Sequence, residues 1–215
     1  MFIKACWDGD EATLAAVLAL EGELAVDVHA TRWGLTGFIC ASKRGHVGCM
    51  AQLLALTGPR RIDVHVAGER AFRRACGNGQ LPAVELLLSL DGDRTVDVNA
   101  SGGGALRWAC MDGHVSVAAR LLALDDGRAV DVHAGGRGHA NEAPLRLADD
   151  FERGATVGLL LAATGRHAPD PAVVRELGLV GARADAIWSG SPLRGGRGVL
   201  VACRASRRAG ARAGK

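Results

Sequence analysis

The chain has 215 residues, 30 of them Gly, no Tyr, only 4% aromatic residues, and a formal charge of +3 from 26 Lys and Arg against 23 Asp and Glu. That length bounds it to one ordinary domain or a short repeat array, while 48% hydrophobic content with nearly balanced charge excludes disorder throughout, and Gly without a three-residue period excludes a collagen-like chain. No run approaches about 18 consecutive apolar residues, and the six Cys form no C-x-x-C pair, so the expectation is a reduced intracellular protein, cytoplasmic or nuclear, with no membrane span.

Taken in chain order, five nineteen-residue segments share one frame without a gap: FIKACWDGDEATLAAVLAL from Phe2, FICASKRGHVGCMAQLLAL from Phe38, FRRACGNGQLPAVELLLSL from Phe72, LRWACMDGHVSVAARLLAL from Leu106 and LRLADDFERGATVGLLLAA from Leu145. Each opens on an apolar residue followed three positions later by Ala (Ala5, Ala41, Ala75, Ala109, Ala148), which is one face of a short helix small enough for a neighbour to approach closely. Four residues on stands Gly9, Gly45, Gly79 or Gly113, suited to a left-handed helix cap. Glu152 takes that place in the fifth segment and predicts a reshaped turn, using Gly154. Helical spacing then resumes, as in Leu81, Val84, Leu87 and Leu88, so each segment reads as helix, tight turn and helix. Between segments recur VDVHA from Val26, IDVHV from Ile62, VDVNA from Val96 and VDVHA from Val130, whose alternation predicts extended or hairpin links.

These signals together resemble the ankyrin repeat family over roughly residues 1–164: the leading Phe or Leu, the Ala three later, Gly45-His46 and Gly113-His114, the Leu-Leu pairs, and VDVNA or VDVHA. The resemblance implies an all-α fold, an α-solenoid of about five stacked helix-turn-helix repeats with short hairpin-like links. The chain departs from the family pattern in its period of 34 to 39, in a Thr-Pro surviving only as Pro144, and in beginning inside a repeat, which reads either as an abbreviated cap or as a piece of a longer array. Residues 165–188 read as capping helices, started by Asp170 and Pro171, and residues 189–215 as a disordered basic tail.

Stacked repeats expose a concave groove that serves macromolecular recognition. Repeated positions satisfy packing, and those that vary between segments are free to specify a partner. The candidate contacts are Trp7, Lys43, Arg44, Arg74, Trp108 and Met111, with Arg32 and Trp33 from the first link. For Trp7 and Trp108, packing against the neighbouring repeat stands as the alternative. The expected role is a non-enzymatic, monomeric module binding a protein, with no cofactor and no metal. His29, His65 and His133 recur one repeat apart, too far to share an ion, and are expected to hydrogen-bond between adjacent links. Cys6, Cys76 and Cys110 read as small core hydrophobes, whereas Cys40 is placed on the groove as the more reactive thiol. The Gly102-Gly103-Gly104 and Gly135-Gly136 runs lack a phosphate-loop spacing and read as link flexibility.

Charge is partitioned: residues 1–164 hold 16 basic and 20 acidic side chains, and residues 165–215 hold 10 and 3. The alternative role is therefore nucleic-acid or other polyanion binding through the tail, although no aromatic follows Trp188 to stack on bases.

Overall fold

The computed structural model describes residues 1–124, 126–134, 143–163 and 167–179. The repeated frame becomes successive helix pairs: α1 (Phe2–Asp8) with α2 (Glu11–Leu18), α3 (Gly37–Arg44) with α4 (Val47–Leu54), α5 (Val66–Gly77) with α6 (Leu81–Leu88), α7 (Ala100–Asp112) with α8 (Val115–Leu122), and α9 (Pro144–Asp150) with α10 (Gly154–Ala162). A last short helix, α11 (Pro171–Glu176), follows. Strands β1 (Thr31–Arg32) and β2 (Leu35–Thr36) pair antiparallel. No helix among the described residues is long and apolar enough to cross a membrane.

The helices form where the frame places them because its repeated positions are those the core absorbs. Phe2, Phe38, Phe72, Leu106 and Leu145 are buried, and so are all five Ala. At the turn, Gly9, Gly45, Gly79 and Gly113 take φ of 75°, 77°, 68° and 78°. The amide of the following residue then donates back to the repeated Ala carbonyl, at 3.0 Å to Ala5, Ala41 and Ala75 and 2.8 Å to Ala109. That six-to-one bond satisfies a carbonyl that would otherwise be orphaned at the helix end. The fifth segment corrects the expectation of a reshaped turn. Glu152 itself adopts φ 56°, and Arg153 N donates to Ala148 O at 2.7 Å, so the same closure forms without Gly. Close approach is a second demand at this position. A Cβ on Gly9 would lie 2.5 Å from His46 Nδ1, and one on Gly45 would lie 2.2 Å from Gln80 Oε1.

The chain divides into two bodies, residues 1–105 and the remainder from Leu106, with the boundary inside α7. In the first body α1 packs on α3 and α3 on α5, while α2 packs on α4 and α4 on α6. First helices thus form one layer and second helices another, with α1 against α2, α3 against α4 and α5 against α6 across them. Leu14, Met50, Leu53, Val84 and Leu87 fill the space between the layers. In the second body α9 packs on α10, and α10 on α8.

Polar bonds at the repeat spacing tie the first body together. Arg60 and Arg94, each closing a 3₁₀ turn, donate to the C-terminal carbonyls of second helices, Leu18 O at 3.0 Å and Leu54 O at 2.8 Å. His29 Nε2 bonds Pro59 O at 3.1 Å and His65 Nε2 bonds Asp93 O at 2.9 Å, linking adjacent inter-segment links as expected for these two histidines. His46 Nε2 reaches Trp7 O at 3.0 Å. In the second body Arg153 Nε repeats this reach to Met111 O at 3.0 Å.

The VDV motif turns out to be a buried staple with a built-in turn. Val28, Val64, Val98 and Val132 are buried, and each intervening Asp (Asp27, Asp63, Asp97, Asp131) accepts from the amide two residues on, at 2.8 to 2.9 Å. Beyond the motif the links differ. Nine residues separate Val28 from Phe38, and they form the β1–β2 hairpin, whose Thr36 side chain accepts from Ile39 N at 3.3 Å and caps α3. Only seven separate Val64 from Phe72 and Val98 from Leu106. There the hairpin expectation is corrected: three consecutive residues turn left-handed, Ala67-Gly68-Glu69 and Ser101-Gly102-Gly103. Gly102 and Gly103 supply a defined tight turn and not link flexibility.

At the C-terminal end Asp170 accepts from Ala172 N at 2.7 Å with Pro171 opening α11, as the sequence predicts, and Arg146 on α9 pairs with Glu176 at 2.6 Å. The expectations for residues 180–188, for the basic tail 189–215 and for Gly135-Gly136 lie outside the described residues.

Candidate interaction face

Trp7 stands in the last turn of α1, where the stacking of α1 on α3 brings it to the basic end of the next helix. The Lys43 ammonium and the Arg44 guanidinium each lie 5.2 Å from its ring centre. Such cation–π contacts contribute roughly 0.5–1 kcal/mol each when exposed. Trp7 is half-buried and its ring lies against both cations of α3. This contact with the next first helix is the neighbour packing that stands as the alternative reading of Trp7.

The second cluster is the hairpin tip. Trp33 is 83% exposed and adopts φ 53°, with the Arg32 guanidinium 4.3 Å above its ring. A residue on the neighbouring helix fixes this tip: Arg70 Nη1 donates to Gly34 O at 2.8 Å. Arg70 was not singled out by the sequence, since its role exists only once α5 is packed beside the hairpin. The signal was weak but present, a basic residue beside the buried Ala71 at the start of the helical frame.

Arg74 lies half-buried on α5. Its neighbour Arg73 donates from Nε and Nη2 to the carbonyls of Gly68 and Ala67, at 2.8 and 2.9 Å, and so caps the left-handed turn. Burial, and then the charges of Arg70 and Arg74, push the Arg73 guanidinium below its usual range. Three guanidinium groups are thus crowded onto one helix. Trp108 and Met111 lie on α7 in the second body, both half-buried. The structure thus joins Trp7, Lys43 and Arg44 in one cluster and Arg32, Trp33 and Arg70 in another.

Cys40 is corrected. It is 2% exposed, and burial raises its thiol above the ordinary range against the smaller opposing pull of Lys43. Cys40 therefore does not face outward, because α3 is buried along Phe38–Ser42. Cys6 and Cys110 are buried with thiols pushed up to about 12, and Cys76 is raised further by burial, in keeping with apolar packing. No group of three or more His, Cys, Asp and Glu that could hold a metal occurs among the described residues.

His65, partly exposed, pairs with the buried carboxyl of Glu69. Glu69 is 3% exposed and accepts from His65 Nδ1 at 2.6 Å and from Asp97 N at 3.2 Å. With its other nitrogen facing Asp93 O, the imidazole confronts two oxygen acceptors and satisfies both when doubly protonated. Its pKa is raised, first by the Glu69 hydrogen bond and then by the Asp93 carbonyl. The arrangement ties the second link to the third.

No protein-family model matches the chain, and no curated protein matches it.

Proposed function

We propose that the chain is a non-enzymatic, ankyrin-type interaction module whose first helices and links bind a protein partner. The observation that carries this reading is Trp33. An indole left 83% exposed at φ 53° costs the fold twice, in unburied apolar surface and in left-handed backbone, and it adds no core. Trp is the residue type that dominates interface energies once desolvated. Further support comes from the layered helix pairs of the first body and from the contrast between buried repeated positions and the differing residues at the ends of α1, α3 and α5. Arg74 completes the proposed contact set of the first body, and Trp108 and Met111 on α7 are proposed contacts of the second body.

The test is crosslinking capture with the full chain, comparing wild type with an Arg74→Glu, Trp108→Ala variant whose melting is checked by circular dichroism. Partners lost in a folded variant support the face. An unchanged partner set rejects it.

A further inference from the structure

Charge is segregated within the first body. Residues 1–105 carry twelve acidic and ten basic side chains, yet no Asp or Glu occurs in residues 28–62 or 70–84. Those two stretches include the hairpin, α3 and nearly all of α5 beyond its left-handed turn. They supply Arg32, Lys43, Arg44 and Arg70, with Arg73 and Arg74 beside them. None of Arg32, Lys43, Arg44 and Arg70 pairs with a carboxylate among the described residues. On α1 the opposite holds, since Lys4 pairs with Asp8. The acids of this body gather instead on the start of α2, the 3₁₀ turns and the VDV turns, where Asp93, for example, pairs with Arg61.

Two features set the spacing of these cations. The hairpin holds Arg32 over Trp33 at the N-terminal end of α3, and Trp7 holds Lys43 and Arg44 at its C-terminal end. Eight helical residues separate the clusters by about 12 Å at 1.5 Å per residue, the length of roughly four extended residues. In each cluster an indole face is covered by a cation, so the ring holds charge in place.

We infer that this face takes an extended acidic segment of a partner protein, with carboxylates meeting Lys43 and Arg44 at one end and Arg32 and Arg70 at the other, beside the exposed edge of Trp33. This deepens the proposed protein-binding role and rests on it. A short acidic segment stays on the cationic strip. A nucleic acid runs past it onto the acidic margins of a body whose net formal charge is negative, and with a screening length of about 8–10 Å the strip cannot hide those margins.

The test selects random twelve-residue peptides from a display library on the full chain, with a labelled thymidine decamer as a parallel probe. Selected peptides should be rich in Asp and Glu, should crosslink to a photoreactive residue placed at Trp33, and should weaken as salt rises. A Lys43→Glu, Arg44→Glu variant should bind them at least tenfold more weakly while melting as wild type. Peptides with Lys in place of Asp and Glu should recover binding to that variant. An Arg61→Glu control should stay within twofold. Selection of neutral or basic peptides that crosslink at the same face would overturn the acidic assignment and leave the interaction role standing. Decamer retention lost in the Lys43→Glu, Arg44→Glu variant would overturn it in favour of nucleic acid. No peptide crosslinking to the face at all would reject the interaction role itself.

Discussion

The first link and the second begin alike and end differently. Both start from a buried Val after an Asp that closes a turn on the amide two residues on. With nine residues to the next apolar anchor, the first extends into a hairpin and exposes Trp33. With seven, the second coils left-handed over Ala67, Gly68 and Glu69 and turns its carboxyl inward. Two residues therefore decide whether a link presents a side chain to solvent or locks one beneath the next link. The teaching is that length sets the backbone path, and the composition of the short links, each with Gly inside the turn, makes the left-handed path tolerable.

The strongest way to break this comparison is to make the long link short. Deleting Trp33 and Gly34 leaves seven residues between Val28 and Phe38 and would place Thr31, Arg32 and Leu35 where the second link has Ala67, Gly68 and Glu69. Three left-handed non-Gly residues replace one, Trp33, so the net cost is roughly 2–4 kcal/mol at about 1–2 kcal/mol each. Urea unfolding should show that loss, and Arg32→Gly in the shortened chain should restore about 1–2 kcal/mol of it. A deletion that costs under about 1 kcal/mol would mean that link length does not choose the path.

A smaller effect sharpens the comparison through the partner of the carboxyl that the second link turns inward. His65 has a raised pKa in the folded chain, through Glu69 first and Asp93 O second, against about 6.5 unfolded. Its contribution to stability is therefore complete below the unfolded pKa and is lost as pH rises through the folded value. Asp63 beside it acts in the same direction, while partial burial opposes it. Unfolding measured across pH 5.5 to 8.5 should show stability falling with pH through this window, by less than an isolated buried pair would give because His65 remains 42% exposed. Glu69→Gln should flatten that slope. An unaltered slope would remove His65 as its source.

Much of the helical framework was legible because its causes are local and periodic. The apolar opener, the Ala and the Gly recur at fixed offsets, and each corresponds to a buried contact or a left-handed cap. What was not legible depends on tertiary context. Nothing in the residue type says that Glu152 will adopt φ 56°, since that follows from the same amide-to-Ala closure the other four segments make. Thr36 capping α3 was hidden because Gly37 stands where the familiar Pro would. Cys40 was misplaced because counting positions around a short helix cannot register that α3 is packed by α1 on one side and α5 on the other. The role of Arg70 appears only when a hairpin carbonyl 36 residues away is brought to it.

The smallest stability effect belongs to the residue with the largest expected functional one. Trp33→Gly removes a left-handed non-Gly residue, a gain of about 1 kcal/mol. Against it stand the greater unfolded-state freedom of Gly, about 0.5–1 kcal/mol, and the lost Arg32 contact, about 0.5 kcal/mol in exposed surroundings. These terms nearly cancel, so the melting temperature should stay close to wild type, while affinity for a selected partner segment should fall tenfold or more if the indole is buried on binding. A variant equally stable and equally able to bind would show that the long link exposes Trp33 to no purpose. A variant markedly less stable would show that the hairpin tip serves the fold, and the contrast between the exposed link and the locked one would then be one of packing alone.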